Sequence, residues 1–446
     1  MIFPMNSKDF LPSFRPLALV HVDTLRREYT AAWLLTQELS ARGYRVLLTS
    51  RLSTRLLLKC IVPDVVVLTH TFTLPNEVKQ QARARGTRIY VNIVEETLED
   101  ETYMRIMYRP DVEVENFDGV FVWSEWARGW VVKNTKLDAC RVHCVGSIRN
   151  SVLKRLPQRS KTGIVGILSR FESLNTWDRR HPFMDLMGID AEDTTNVDTR
   201  YYFEKKLIDA EAFSLTSKLI RQLLAQGKKV AIRPHPNEFK DSYQLLKKEF
   251  GPNLLIDSSK DICEFLAGVD VIAGPVSSAY TEAYIAGIPI VSLHRMQRYS
   301  YRDREVYESL DRLSEAAHLP PSVAEAVRLC LKPELMPQRS AELDKYLDAF
   351  YSLGSHPDPV VDVVNVIARE QSKLAGFSRR CSSFAPLARL VIDILRLIQS
   401  VSFGRRKMPF AVLRQYHFNG LLHKPSSFMR RLLSSVTNSG EPVSNA

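Results

Sequence analysis

The sequence predicts an α/β protein of two Rossmann-like units facing a cleft, followed by a basic helical tail. Three observations carry that prediction. Short apolar runs alternate with stretches of helical periodicity, the alternation restarts after Asn150, and positive charge accumulates beyond Gly376. A chain of 446 residues has room for two ordinary domains and an appendage. The expected boundaries are 1–155, 156–375 and 376–446.

The first unit opens on Leu17 to Val22, short, apolar and bounded by Pro16 and Asp23, which reads as a strand. Arg26 to Ala41 follows with helical periodicity (Tyr29, Trp33, Leu34, Leu39), and Gly43 stops it. Tyr44 to Thr49 is a second strand. Asp64 to His70 carries the apolar run Val65 to Leu68 and has the look of a buried parallel strand. A polar helix from Glu77 to Arg85 precedes a strand from Thr87 to Ile93, and Asp118 to Ser124 and Arg141 to Gly146 complete the series. The second unit begins at Gly163 to Ser169. A long helix from Phe203 to Gln226 closes at Gly227, and a strand from Lys229 to Arg233 ends at Pro234. Asn253 to Asp257, Val269 to Gly274 and Ile288 to Leu293 are further strands, with helices from Ile262 and Ser277 between them. Ala341 to Tyr351 and Pro359 to Leu374 close the body. Strands alternating with helices of this length specify doubly wound parallel sheets, which receive ligands at the C-terminal ends of their strands.

Composition excludes several classes. Six scattered cysteines build no disulfide framework and fit a reducing cytoplasm. Cys140, His143 and Cys144 lack a second pair at zinc spacing, so no metal is expected. Met1 to Leu11 has no basic segment leading into an apolar one, and no stretch reaches the roughly 18–20 apolar residues that span a bilayer. The net charge is +11, and the segment from Gly376 onward holds eleven Lys or Arg against Asp393 and Glu441, leaving the body nearly neutral.

Candidate chemistry lies at strand ends. Arg233-Pro234-His235-Pro236 leaves a strand as a proline-stiffened corner, where Arg grips phosphate oxygens and His donates a further hydrogen bond. In Gly274-Pro-Val-Ser277-Ser278, two hydroxyls open a helix, the geometry of an anion site, although serine is also an ordinary N-cap. Glu282 lies one turn further on, placed to accept from ribose hydroxyls or a base. In the first unit, Glu95 and Glu96 follow a strand, and adjacent carboxylates suit general-base work because repulsion raises one pKa. Acidic pairs also occur on solvated surfaces, and both readings stand. Arg27 and Glu28 begin the first helix, either as an acceptor-side contact or as a solvated face.

These residues in this order, with Gly287-Ile-Pro-Ile-Val-Ser-Leu, resemble the bacterial surface carbohydrate biosynthesis proteins. That family is similar to GT-B glycosyltransferases using CMP-activated acidic sugars, such as Kdo transferases and bacterial sialyltransferases, and to CDP-glycerol glycerophosphotransferases. The resemblance covers residues 15 to 350. It implies that His235 and Pro236 contact the nucleotide phosphate, that Ser277 and Ser278 bind it, that Glu282 is the acidic residue of the following helix, and that Glu95 or Glu96 is the catalytic base. Gly146-Ser-Ile-Arg-Asn and Ser169-Arg-Phe-Glu-Ser-Leu-Asn depart from the family's pattern.

The resemblance implies transfer of an acidic sugar from a CMP-linked donor to a glycan or lipid-linked acceptor, without metal or other cofactor. Its alternatives are CDP-glycerol-type glycerophosphate transfer, a non-catalytic GT-B scaffold at the membrane, and a nucleotide-sugar 2-epimerase. In the tail, Phe384 to Phe403 is amphipathic, and basic and aromatic residues interleave as far as Arg431. Residues 384–431 suit the anionic inner face of a plasma membrane, and a helix packed on the body is the other reading. The body carries no nucleic-acid module. The expected location is cytoplasmic, peripheral on that membrane.

Overall fold

The computed structural model describes residues 15–94, 99–156, 161–176, 199–259, 261–299, 314, 316–336 and 341–372. The basic tail, the first 14 residues and the Glu95–Glu96 pair lie outside the described residues.

The first unit runs β1 (Leu17–Val22), α1 (Leu25–Ala41), β2 (Arg45–Ser50), α2 (Arg51–Cys60), β3 (Val65–Leu68), α3 (Asn76–Ala84), β4 (Arg88–Asn92), α4 (Glu101–Met107), β5 (Gly119–Val122), α5 (Glu125–Asn134), β6 (Val142–Cys144) and α6 (Ile148–Leu153). Its six strands are all parallel, in the order β2-β1-β3-β4-β5-β6. The expected strands are present. The short helices α2, α4 and α5 carry no long periodic run, and local capping starts them instead. Ser124 Oγ accepts from Ala127 N–H at 3.1 Å, Asp100 Oδ1 from Tyr103 N–H at 3.0 Å, and Ser53 Oγ from Ser50 N–H at 2.7 Å.

Side-chain alternation divides the core. Val65 and Val67 face the layer holding α1 and α6, while Val66 and Leu68 face the opposite layer with Leu57, Val78 and Val131. Every residue of β1, β3 and β5 is buried. That burial accounts for the unbroken apolar runs of β3 and β5, while in β1 the buried His21 shares a hydrogen bond with Thr54 Oγ1 at 2.8 Å.

The second unit runs β7 (Ile164–Leu168), α7 (Thr199–Ala225), β8 (Lys229–Arg233), α8 (Ser242–Phe250), β9 (Leu254–Ile256), α9 (Ile262–Leu266), β10 (Val271–Gly274), α10 (Ala279–Ile285), β11 (Ile290–Ser292), α11 (Val323–Leu331) and α12 (Ala341–Phe350). Its five strands are again parallel, in the order β11-β10-β7-β8-β9. Gly166 lets α9 approach β7, because a Cβ there would stand 2.9 Å from Phe265 Cζ.

The last described helix, α13 (Pro359–Ser372), packs on the first unit. Val360, Val363, Val364 and Ile367 share a core with Ala31, Leu35 and Val152. Tyr90 O–H donates to Glu370 at 3.2 Å, Arg42 Nη2 to Asn365 Oδ1 at 2.8 Å, and Ser151 O–H to Asp358 Oδ1 at 2.7 Å. The same core includes Phe265, Tyr280 and Ala283, so apolar packing continues from one unit to the other through α1, α6, α9 and α10. A polar bond joins it where Thr30 N–H donates to the buried Asp261 at 3.2 Å. Among the described residues no helix is long and apolar enough to cross a membrane.

Candidate functional site

Each sheet reverses its strand order once, between β1 and β3 in the first unit and between β7 and β10 in the second. Loops leaving neighbouring strands in opposite directions at such a point open a crevice. The sequence-derived candidates among the described residues fall at or beside these two points.

In the second unit, three strand exits are tied together. Gly274 ends β10 with φ +146, and a Cβ there would meet Leu168 O at 2.5 Å, so only glycine permits this approach to β7. Arg170, just past β7, donates through Nη1 to Val276 O at 3.1 Å and spans the switch point. The β8 exit is joined to the β7 exit by His235 N–H donating to Ser169 Oγ at 2.9 Å. Beneath them lies Glu238, buried, with donors on both oxygens. Phe171 N–H donates to Oε1, while Oε2 takes Ser169 O–H, His235 N–H at 2.9 Å and Tyr243 O–H at 2.7 Å. Burial pushes its carboxyl up to about 7, against the pull of those hydrogen bonds.

Arg233 and His235 part company in this frame. The Arg233 guanidinium turns towards the β9 exit, where Nη1 donates to Asp257 and to Ser259 Oγ at 2.7 Å, and it stacks over Phe265 at 5.7 Å. Its charge is met inside the protein. The His235 side chain keeps 31% of its surface exposed, and Nδ1 stands 3.3 Å from Glu172 Oε2. Asn237 N–H also points at Nδ1, at 3.3 Å. Burial lowers the His235 pKa against the raising effect of Glu172, so the ring is neutral near pH 7 and contributes a hydrogen bond rather than a full charge. Glu172 is held below the usual carboxylate range: its own burial works the other way, but His235, Lys205 at 2.6 Å and Asn237 outweigh it.

Pro236 is half-buried beside His235. Ser277 is half-buried, and its Oγ accepts from Ala279 N–H at 3.2 Å. Ser278 is exposed, and its side chain makes no capping bond. Glu282, one turn into α10, is buried and ion-paired through Oε1 to Arg149 of α6, while its Oε2 has no partner. Arg149 also donates to Val94 O at 3.1 Å and lies over Trp123 at 5.3 Å. The carboxylate placed for a ribose therefore carries a link between the units.

In the first unit, Arg27 and Glu28 act on each other. Arg27 donates through Nε at 3.0 Å and Nη2 at 2.8 Å to Glu28 Oε1, while Asp23 and Thr24 N–H donate to Oε2 at 2.8 and 3.4 Å. Glu28 thus closes the β1–α1 turn. Ligand-type atoms of Asp23, Glu28 and His70 lie within 4.8 Å of one another, which is metal-like spacing. Both Glu28 oxygens are already saturated, and the Arg27 guanidinium supplies the positive charge, so these residues do not fit a cation. His70 leaves β3 beside this network and stacks on Phe72 at 5.2 Å. Burial pushes its imidazole down to about 4 despite Glu28 and Asp23 nearby.

Asn92 ends β4 immediately ahead of the Glu95–Glu96 segment. Arg149, Glu172, Glu238 and His70 were not among the sequence candidates. Their shared signal is position, within a few residues of a strand end. The partners that define their roles come from other elements.

No family model matches the sequence, and no curated protein matches it. Solved structures similar to this chain include the Methanocaldococcus jannaschii UDP-GlcNAc 2-epimerase in complex with UDP-GlcNAc and UDP, at 11% identity and a TM-score of 0.45, covering 80% of this chain and 100% of that one. A structure of the wall teichoic acid polymerase TagF is similar at 12% identity and a TM-score of 0.48, covering 80% of this chain and 90% of that one. An Arabidopsis thaliana UGT complexed with UDP-L-rhamnose is similar at 11% identity and a TM-score of 0.44, covering 80% of this chain and 100% of that one. What they share with this chain is the α/β fold; at such identities and scores they assign no residue and no chemistry.

Proposed function

We propose that this chain is a GT-B-type glycosyltransferase, with the nucleotide of an activated sugar held at the second unit's switch point. One observation carries the reading. The β7, β8 and β10 exits are hydrogen-bonded into one frame over Glu238, leaving His235 and the Ser277–Ser278 turn accessible. Donors fixed in advance meet charge as it develops on a leaving phosphate, without reorganising during the reaction.

In the proposed reaction, an acceptor hydroxyl attacks the anomeric carbon of the donor sugar. Glu95 or Glu96 takes the hydroxyl proton. The bond from the anomeric carbon to the phosphate oxygen breaks, and the nucleotide departs with the electron pair. His235, Ser277 and Ser278 stabilise the charge on that phosphate, and the unpartnered Oε2 of Glu282 accepts from a ribose hydroxyl. Arg233, engaged with Asp257, shapes the corner from behind.

The donor class proposed is a CMP-linked acidic sugar, and the acceptor a glycan or lipid-linked glycan. Residues 384–431 hold the enzyme to an anionic membrane surface. A screen of CMP-Kdo, CMP-sialic acid, CDP-glycerol and UDP-GlcNAc, read by nucleotide release with and without acceptor, tests this. Acceptor-dependent release of CMP from CMP-Kdo or CMP-sialic acid supports it. Glycerophosphate transfer alone, epimerised UDP-sugar alone, or no turnover of any donor would overturn it.

A further inference from the structure

Between α1, α6 and the C-terminal ends of β1, β3 and β4 lies a small, partly open cavity. His21, Glu28, Thr69, Asn92, Ser147 and Arg149 are its polar lining, and Ala31 and Leu35 are among the apolar residues. Unmet polar groups gather on its lining. Thr69 Oγ1, both Asn92 amide atoms, Arg149 Nε and His21 Nε2 are buried and make no hydrogen bond, and Thr69, Asn92 and His21 are only 4%, 2% and 2% exposed. A folded protein leaves few such groups unmet, because each costs its desolvation without a compensating bond. Such groups on four residues around one cavity, at the strand-order reversal where this fold class receives ligands, mark a place built for a polar group from outside.

The chemistry of that group follows from the wall. Asn92 offers a donor and an acceptor, Thr69 offers both through one hydroxyl, His21 Nε2 gives one or the other with its tautomer, and Arg149 Nε only donates. A hydroxyl, which gives one hydrogen and accepts two, complements this set, whereas a phosphate would exceed the space and face Glu28. The space suits about one oxygen-sized group. A whole sugar ring does not fit.

We infer that this cavity is a hydroxyl-reading subsite, taking one hydroxyl of a sugar whose ring lies in the cleft. As the sugar-reading part of the transferase site it rests on the function proposed above, but it makes its own prediction for free sugars. Ligand-observed saturation-transfer NMR on the full chain, with N-acetylglucosamine, N-acetylneuraminic acid and Kdo as probes, tests it, with CMP and UDP titrated separately. Asn92→Leu and Thr69→Val remove the polar atoms with little change of shape. Each variant should melt at or above the wild-type temperature, since an unmet polar group is gone. Sugar affinity should fall about tenfold, the loss expected for one or two neutral hydrogen bonds, with nucleotide affinity retained.

Sugar signals equal in wild type and both variants, or absent from wild type, would overturn the subsite and leave an ordered water only. If wild type binds a sugar but neither nucleotide, the subsite stands and the transferase reading falls. If it binds a nucleotide but no sugar, the reverse holds.

Discussion

The two switch points hold similar residue types in opposite states. In the second unit, one buried carboxylate, Glu238, collects four donors from two strand exits and from α8, and the residues above it remain accessible. In the first, the buried Glu28 and Asp23 and the partly exposed Arg27 are turned on one another, with His70 buried beside them. The second arrangement presents hydrogen-bond donors to the cleft. The first spends its charge internally and fixes the β1–α1 turn. Identical residue types therefore differ in availability, and partners from other elements decide which is which.

Several perturbations break or sharpen this contrast, beginning with the largest. Glu238→Ala removes the acceptor that four donors share and leaves buried Phe171 N–H and Tyr243 O–H without one, so unfolding free energy should drop by about 3 kcal/mol in urea denaturation, and the frame holding His235 should loosen with it. Arg149→Met, at the junction of the units, leaves Glu282 buried and unpaired. It should cost about 3 kcal/mol, and the double variant with Glu282→Gln should recover most of that in a double-mutant cycle.

The third perturbation is pH. Burial lowers the His70 pKa from 6.5 to about 4, so the unfolded chain takes up that proton first on acidification. Stability from this group is complete above pH 6.5 and drains away as pH falls toward 4, by up to about 3 kcal/mol. His70→Gln should flatten the melting temperature across that window. His235 shifts in the same direction but is nearly one-third exposed, so solvent screening leaves it a smaller slope. The smallest effect belongs to Ser278→Ala. The side chain is exposed and caps nothing, so stability should stay within about 0.5 kcal/mol while nucleotide affinity falls about fivefold.

The fold was legible because buried parallel strands must be apolar throughout. Val65 to Leu68 and Val271 to Gly274 show this in four residues each, and the glycines after α1 and α7 mark the helix ends. The helix after Pro359 was also legible as a helix. Its docking on the first unit was not, because the Val and Ile stripe of α13 says what it buries but not against which layer. In the site, His235 and the serine pair could be found as residue types at strand ends. The engagement of Arg233 with Asp257, and of Glu282 with Arg149, could not, since those partners lie 24 and 133 residues away in the chain. Asn92 was visible as a strand-end residue, but its lack of partners is a property of three-dimensional packing.

The central claim is that a nucleotide binds over the Glu238 frame of the second unit. Titration calorimetry of the full chain with CMP and UDP, repeated on His235→Ala, tests it most directly. The account predicts saturable binding of at least one nucleotide, weakened about tenfold or more by the substitution, the loss expected when one hydrogen bond to a charged phosphate is removed. No binding to the wild type, or equal affinity in the variant, would contradict it.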